Sequence, residues 1–263
     1  MADETLGIIV SLILPLAGTT AGACLVFFLK DALGSLAQKI LLGFAAGVMV
    51  AASIWSLILP SIEMAEQQQV IAWIPAVVGF LAGMFFLLLF DHLLPHQHLG
   101  ANKPEGPQSG LQKQTLLIFA VALHNLPEGM AVGAVLAGFL VGNAGLSLAG
   151  VIALALGLAI QNIPEGAIIS TPLRSYGLSR GRSFLYGFLS GVIEPVGAVL
   201  MLVLAETMTP ALPYILSFAA GAMIYVVVED LIPATQTGRH TNVGVIAFAF
   251  GFALMLILDV ALG

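Results

Sequence analysis

Apolar residues run through this chain in long, nearly charge-free stretches at about 6–29, 40–62, 70–90, 115–140, 146–171, 183–205, 211–228 and 241–258. A helix needs roughly 20 such residues to cross a ~30 Å hydrocarbon core, whereas outer-membrane strands are about half as long and alternate apolar with polar positions. The pattern therefore predicts an all-α integral membrane protein with eight transmembrane helices, forming one polytopic domain over 1–263. Polar, proline- and glycine-containing breaks at Lys30–Lys39, Leu94–Lys113, Arg174–Arg182 and Thr235–Arg239 supply turns between spans.

Composition agrees and removes competing classes. The chain is 59% hydrophobic and only 8% charged, with a mean hydropathy of +1.06; a soluble domain is about one quarter charged. A net charge of -6 speaks against a nucleic-acid partner, and the lipid bilayer is the expected environment. The single cysteine, Cys24, rules out a disulfide framework or an all-thiolate metal cluster. Met1 to Thr5 holds Asp3 and Glu4 and no basic residue, so no cleavable signal peptide is expected.

Charge also sets an expected orientation. Lys30, Lys39, Lys103, Lys113, Arg174, Arg180, Arg182 and Arg239 all fall in alternate loops, while the opposite side carries Asp3, Glu4, Glu63, Glu66 and Glu206. The positive-inside rule then places both termini outside the cytoplasm. Gly43 with Gly47, and Gly79 with Gly83, form GxxxG pairs that let two helix backbones approach in lipid.

The candidate chemistry lies where lipid should exclude it. His124 and Glu128 fall in the fourth span, Gln161 and Glu165 in the fifth and Glu194 in the sixth. An ionisable residue at that depth costs about 2.5–3.5 kcal/mol even on the lenient insertion scale. No Lys or Arg is available there, so the three carboxylates need protons or a bound metal ion. The segment His124-Asn125-Leu126-Pro127-Glu128-Gly129 is repeated as Gln161-Asn162-Ile163-Pro164-Glu165-Gly166, and a related break follows at Glu194-Pro195-Val196-Gly197. Residues four apart share a helix face. Each proline frees the carbonyl four residues earlier, that of Leu123 or Ile160, and a broken helix with free carbonyls beside a carboxylate is how membrane proteins build cation sites. All these residues fall near the same depth, which favours one shared site.

The HNLPEG and QNIPEG pair followed by IEPVGA resembles the signature helices of the ZIP (Zrt/Irt-like) divalent metal transporters, above all the compact bacterial GufA type. The resemblance covers the whole chain and implies a ZIP-type bundle with the metal site between helices 2, 4, 5 and 6. It further implies zinc uptake across a bacterial cytoplasmic (inner) membrane through a midplane two-metal site. Carried over by position, His124, Glu128, Gln161 and Glu165 form one site. Asn125, Asn162 and Glu194 complete a second, with Glu128 and Glu165 bridging. Met49 matches the methionine that approaches the first metal. Asn162 departs from relatives that have Asp there, which weakens the second site.

Further candidates mark a pathway. Met49, Ser56 and Glu63 are seven apart, so they are expected to line one face from mid-membrane to the outer mouth, where Asp259 also lies. Asp91, His92, His96 and His98 follow the third span, and Glu229 and Asp230 end the seventh; imidazole with carboxylates suits a transient metal acceptor. One imidazole plus carboxylate and amide oxygens fits Zn²⁺, Cd²⁺, Fe²⁺, Mn²⁺ or Co²⁺ as the transported divalent metal ion, without choosing among them. A membrane metalloprotease would need HExxH and a second intramembrane His, so no enzyme is expected. A proton- or sodium-coupled secondary transporter of an organic substrate is the alternative. Oligomeric state is open, a homodimer included.

Overall fold

The computed structural model describes residues 2–29, 33–96, 106–107, 110, 113–142, 145–175, 177–207, 209–238 and 241–262. Among them, eight helices are long and apolar enough to cross a bilayer: α1 (Glu4–Phe27), α2 (Ser35–Gln67), α3 (Trp73–Leu93), α4 (Ile118–Leu140), α5 (Leu148–Arg174), α6 (Arg180–Leu204), α7 (Leu212–Thr235) and α8 (Val243–Leu262). The most apolar of them, α3 and α8, are also among the most exposed, presenting Phe85, Leu89, Phe250 and Val260 outward. Most of α5 is buried. The polar side chains Asn125, Glu128, Gln161, Asn162 and Glu194 are buried at its level, so the bundle hides polar groups from lipid.

The helices associate chiefly as four pairs: α1 with α5, α2 with α8, α3 with α7 and α4 with α6. Glycine makes each pair close. In α2, α3, α7 and α8 the sequence FxxG recurs at Phe44–Gly47, Phe80–Gly83, Phe218–Gly221 and Phe248–Gly251. They interlock reciprocally: a Cβ at Gly47 would strike the carbonyl of Phe248, one at Gly251 that of Phe44, one at Gly83 that of Phe218 and one at Gly221 that of Phe80. The two GxxxG pairs read from sequence thus sit at real backbone contacts, since Gly43 also meets Gly244 and Gly79 meets Tyr214. Contact between α5 and α8 is softer, with Gly157 facing the flexible side chain of Met255.

Three helices are irregular where the polar residues fall. In α2 and α7 the helix widens to a π turn over Ser53–Ile58 and Val227–Leu231. Each wide turn lies just before a proline, Pro60 or Pro233, which has no N–H for the carbonyl four residues back, that of Ser56 or Glu229. Both helices then continue: α7 runs on to Thr235, well past the apolar run that ends at about 228. In α6 the helix is interrupted at Val192, and Glu194 enters the first turn of the outgoing half. Pro195 is tolerated there because the first turn has no intrahelical acceptor to lose, and the helix N-terminus favours an anion.

Candidate metal centre

The repeated PEG segments build the centre by letting backbones touch. Gly129, beside Glu128, leaves no space for a Cβ against the carbonyl of Glu194 in α6. Gly166, beside Glu165, does the same against the carbonyl of Thr19 in α1, and Gly197 packs on the Leu126 carbonyl 2.8 Å from an added Cβ. Gly129 and Gly166 each place the neighbouring carboxylate at the seam of two helices. Pro127 and Pro164 lie within α4 and α5.

Around these seams the side chains form two linked groups. Gln161 Nε2 donates to Glu128 Oε1 at 2.6 Å and also to Asn162 Oδ1. Asn162 Nδ2 donates to the Pro15 carbonyl at 3.4 Å. In the second group, Glu194 Oε1 accepts from Thr19 Oγ1 at 2.6 Å and from Asn125 Nδ2 at 3.3 Å, and Asn125 also donates to the Ser190 carbonyl at 3.1 Å. Glu165 is 8% exposed and within electrostatic range of Glu128, Glu194 and Asp230. Four buried acceptors are left without a hydrogen bond: Asn125 Oδ1, Glu128 Oε2, Gln161 Oε1 and Glu194 Oε2.

His124 stands apart from this network. Its Nε2 lies 2.6 Å from Asp230 Oδ2 in the wide turn of α7, although Glu128 is one turn along its own helix. Partly for that reason, no three His, Cys, Asp or Glu side chains among the described residues converge as a ready-made metal cage. The donors gathered around the orphaned oxygens are mixed carboxylates and amides.

Comparison with known proteins settles the lineage. A family model described as ZIP zinc transporter matches residues 100–259. The zinc transporter GufA of Myxococcus xanthus is 34% identical over 98% of this chain and 99% of its own length. Zinc transporter ZIPB of Bordetella bronchiseptica is 36% identical over 94% of this chain and 78% of its own. The chain belongs to the ZIP zinc transporter family. Human zinc transporter ZIP11, 36% identical over 93% of this chain and 94% of its own, shows that the similarity extends well beyond bacteria. This ZIP chain is accordingly a multi-pass membrane protein.

The remaining ZIP candidates divide into gathered and dispersed. Met49 is wholly buried in the apolar core with Met130, Ile168 and Met223. Beyond it the wide turn adds a residue to α2 and breaks the seven-residue alignment expected for Met49, Ser56 and Glu63. Ser56 instead donates to Asp259 Oδ1 in α8 at 2.7 Å, while Glu63 is exposed at the end of α2. At the opposite end His96 is fully buried, with Nε2 2.9 Å from Asp91 and Nδ1 2.8 Å from the Leu94 carbonyl. Asp91, His96, His124, Tyr225 and Asp230 line one small pocket. His92 turns back to the carbonyl of Leu88 in its own helix, Glu229 is exposed, and His98 lies outside the described residues.

Thr19, Pro15 and Tyr225 are the members that sequence reasoning passed over. Thr19 sits in the small-residue run Gly18-Thr19-Thr20-Ala21-Gly22, which reads as helix packing. The glycine on either side of that hydroxyl was the available signal.

Proposed function

We propose that this ZIP chain transports zinc into the cytoplasm through a binuclear centre in a single membrane domain, by transport rather than catalysis. The first site comprises His124, Glu128, Gln161 and Glu165, with Met49 approaching from α2. The second comprises Asn125, Asn162 and Glu194, with Glu128 and Glu165 shared. The observation that carries this reading is the set of four buried, unpartnered oxygens. An unsatisfied buried acceptor costs about 1–3 kcal/mol. A protonated carboxyl would offer one O–H to one amide oxygen, whereas a single cation satisfies several carboxylate and amide oxygens together.

The donor set fits a borderline ion, Zn²⁺ first and Cd²⁺, Fe²⁺, Mn²⁺ or Co²⁺ by the same chemistry, and lacks the closed thiolate shell that would retain it. Ser56, Glu63 and Asp259 mark the entrance. Asp91, His96 and Asp230, with His92, His98 and Glu229 around them, mark the exit. The basic loops support an exit on the cytoplasmic side of a bacterial inner membrane. A divalent cation moving inward gains about 4.6 kcal/mol per 100 mV, twice the single-charge value, so import needs no coupling ion.

The test is zinc uptake into sealed proteoliposomes. Glu128→Ala should reduce uptake at least tenfold at equal protein, while Glu66→Ala, at the exposed end of α2, stays near wild type. Full transport by Glu128→Ala would overturn the site. Wild-type vesicles that move no divalent metal would return the proton- or sodium-coupled organic carrier as the better reading.

A further inference from the structure

We infer that Thr19 is a positioning residue of the transport centre, whose hydroxyl holds Glu194 so that one carboxylate oxygen stays open for a divalent cation. The inference rests on the reading of Glu194 as a ligand. Helix α1 supplies none of the family-signature residues, yet it reaches the centre twice, through Thr19 to Glu194 and through the Pro15 carbonyl to Asn162.

A hydroxyl inside an apolar helix ordinarily bonds the carbonyl one turn back. Thr20 does so to Leu16 at 2.7 Å, Thr171 to Ala167 at 2.8 Å and Ser53 to Met49 at 2.8 Å. Thr19 departs from this habit. Its Oγ1 is 3.4 Å from the carbonyl of Pro15 but 2.6 Å from Glu194 Oε1. A hydroxyl has a single proton, and the short contact to a carboxylate is the stronger bond. Thr19 therefore directs its proton across to α6.

Two glycines hold the residue in place. A Cβ at Gly191 would come within 2.9 Å of Thr19 Cβ, and one at Gly166 would strike the Thr19 carbonyl. Thr19 is wedged between α5 and α6 and fully buried, so its hydroxyl is not free to seek another acceptor.

The consequence falls on the carboxylate. Thr19 and Asn125 both donate to Oε1 of Glu194, while Oε2 is buried and unpartnered. Concentrating both donors on one oxygen fixes the plane of the group and presents the other. Without the hydroxyl, Oε1 of Glu194 would keep only the longer, 3.3 Å contact from Asn125.

The experiment titrates the purified full-length chain with zinc alone and reads binding by calorimetry and by elemental analysis after dialysis. Thr19→Val keeps the shape and removes the proton donor; it should weaken the lower-affinity zinc step about 10- to 100-fold, the usual range for a partner that orients a ligand. Thr19→Ser should recover most of that loss. On a Glu194→Gln background, Thr19→Val should change binding no further, because the two residues act through one contact. Thr19→Ala answers the same question if Thr19→Val does not fold. Unchanged zinc binding in Thr19→Val, no recovery with Thr19→Ser, or an undiminished loss on the Glu194→Gln background would each overturn the inference alone. A wild-type chain that binds no zinc would overturn the proposed function and this inference with it.

Discussion

His124 and Asp230 meet in the pocket that Asp91 and His96 also line. With its Nε2 2.6 Å from Asp230, His124 has the angle of its ring set by that carboxylate. Asp230→Asn should therefore lower zinc affinity about tenfold or more while leaving thermal stability close to wild type. Binding isotherms and melting curves of the purified variant separate the two effects; a large stability loss with unchanged affinity would mark the pair as structural. The signature residues were legible because a carboxylate in lipid stands out against an apolar background. Asp230 was legible as an acid near a span end, but its partner was not, because nothing local in α7 points to a histidine in α4. Thr19 was hidden for the opposite reason: its own neighbours make it look like packing.

Among the elements, the eight spans followed directly from apolar length, since no other pattern competes for a run of twenty uncharged residues. The interruptions were harder to read. Proline predicted broken hydrogen bonds at Pro127, Pro164 and Pro195, but whether a helix answers by bending, breaking or widening depends on what packs beside it. In α2 it widened, which is why the expected line from Met49 through Ser56 to Glu63 is not kept. Close helix contact gives a sharper expectation. Gly129→Ala drives a methyl into the Glu194 carbonyl, so α4 and α6 must separate and carry Glu128 and Glu194 with them. Overpacking of this kind costs about 1–3 kcal/mol. Gly129→Ala should lower the melting temperature and zinc uptake together. Gly181→Ala, with nothing within 4 Å, should leave both unchanged or slightly raise stability. Equal melting temperatures for the two variants would contradict the close α4–α6 contact.

For the molecule as a whole, orientation is the property on which import depends. Gln68 and Thr237 are exposed at opposite ends of the bundle, after α2 and after α7. In a Cys24→Ser background, Gln68→Cys should react with an impermeant thiol reagent added to intact cells, and Thr237→Cys should react only after the membrane is opened. The reverse pattern would make the same centre face the other way and turn an importer into an exporter.

The reciprocal FxxG contacts constrain how this sequence is able to drift. At most core positions a larger residue is accommodated when a neighbour becomes smaller, so two changes made in succession preserve the fold. Here each glycine faces the main chain of its partner, at Phe44, Phe80, Phe218 and Phe248, and every residue type carries that same carbonyl. No second substitution makes room for the first. Gly47, Gly83, Gly221 and Gly251 are therefore expected to tolerate no exchange in any genetic background, whereas Gly157, which faces the side chain of Met255, is open to replacement in step with it.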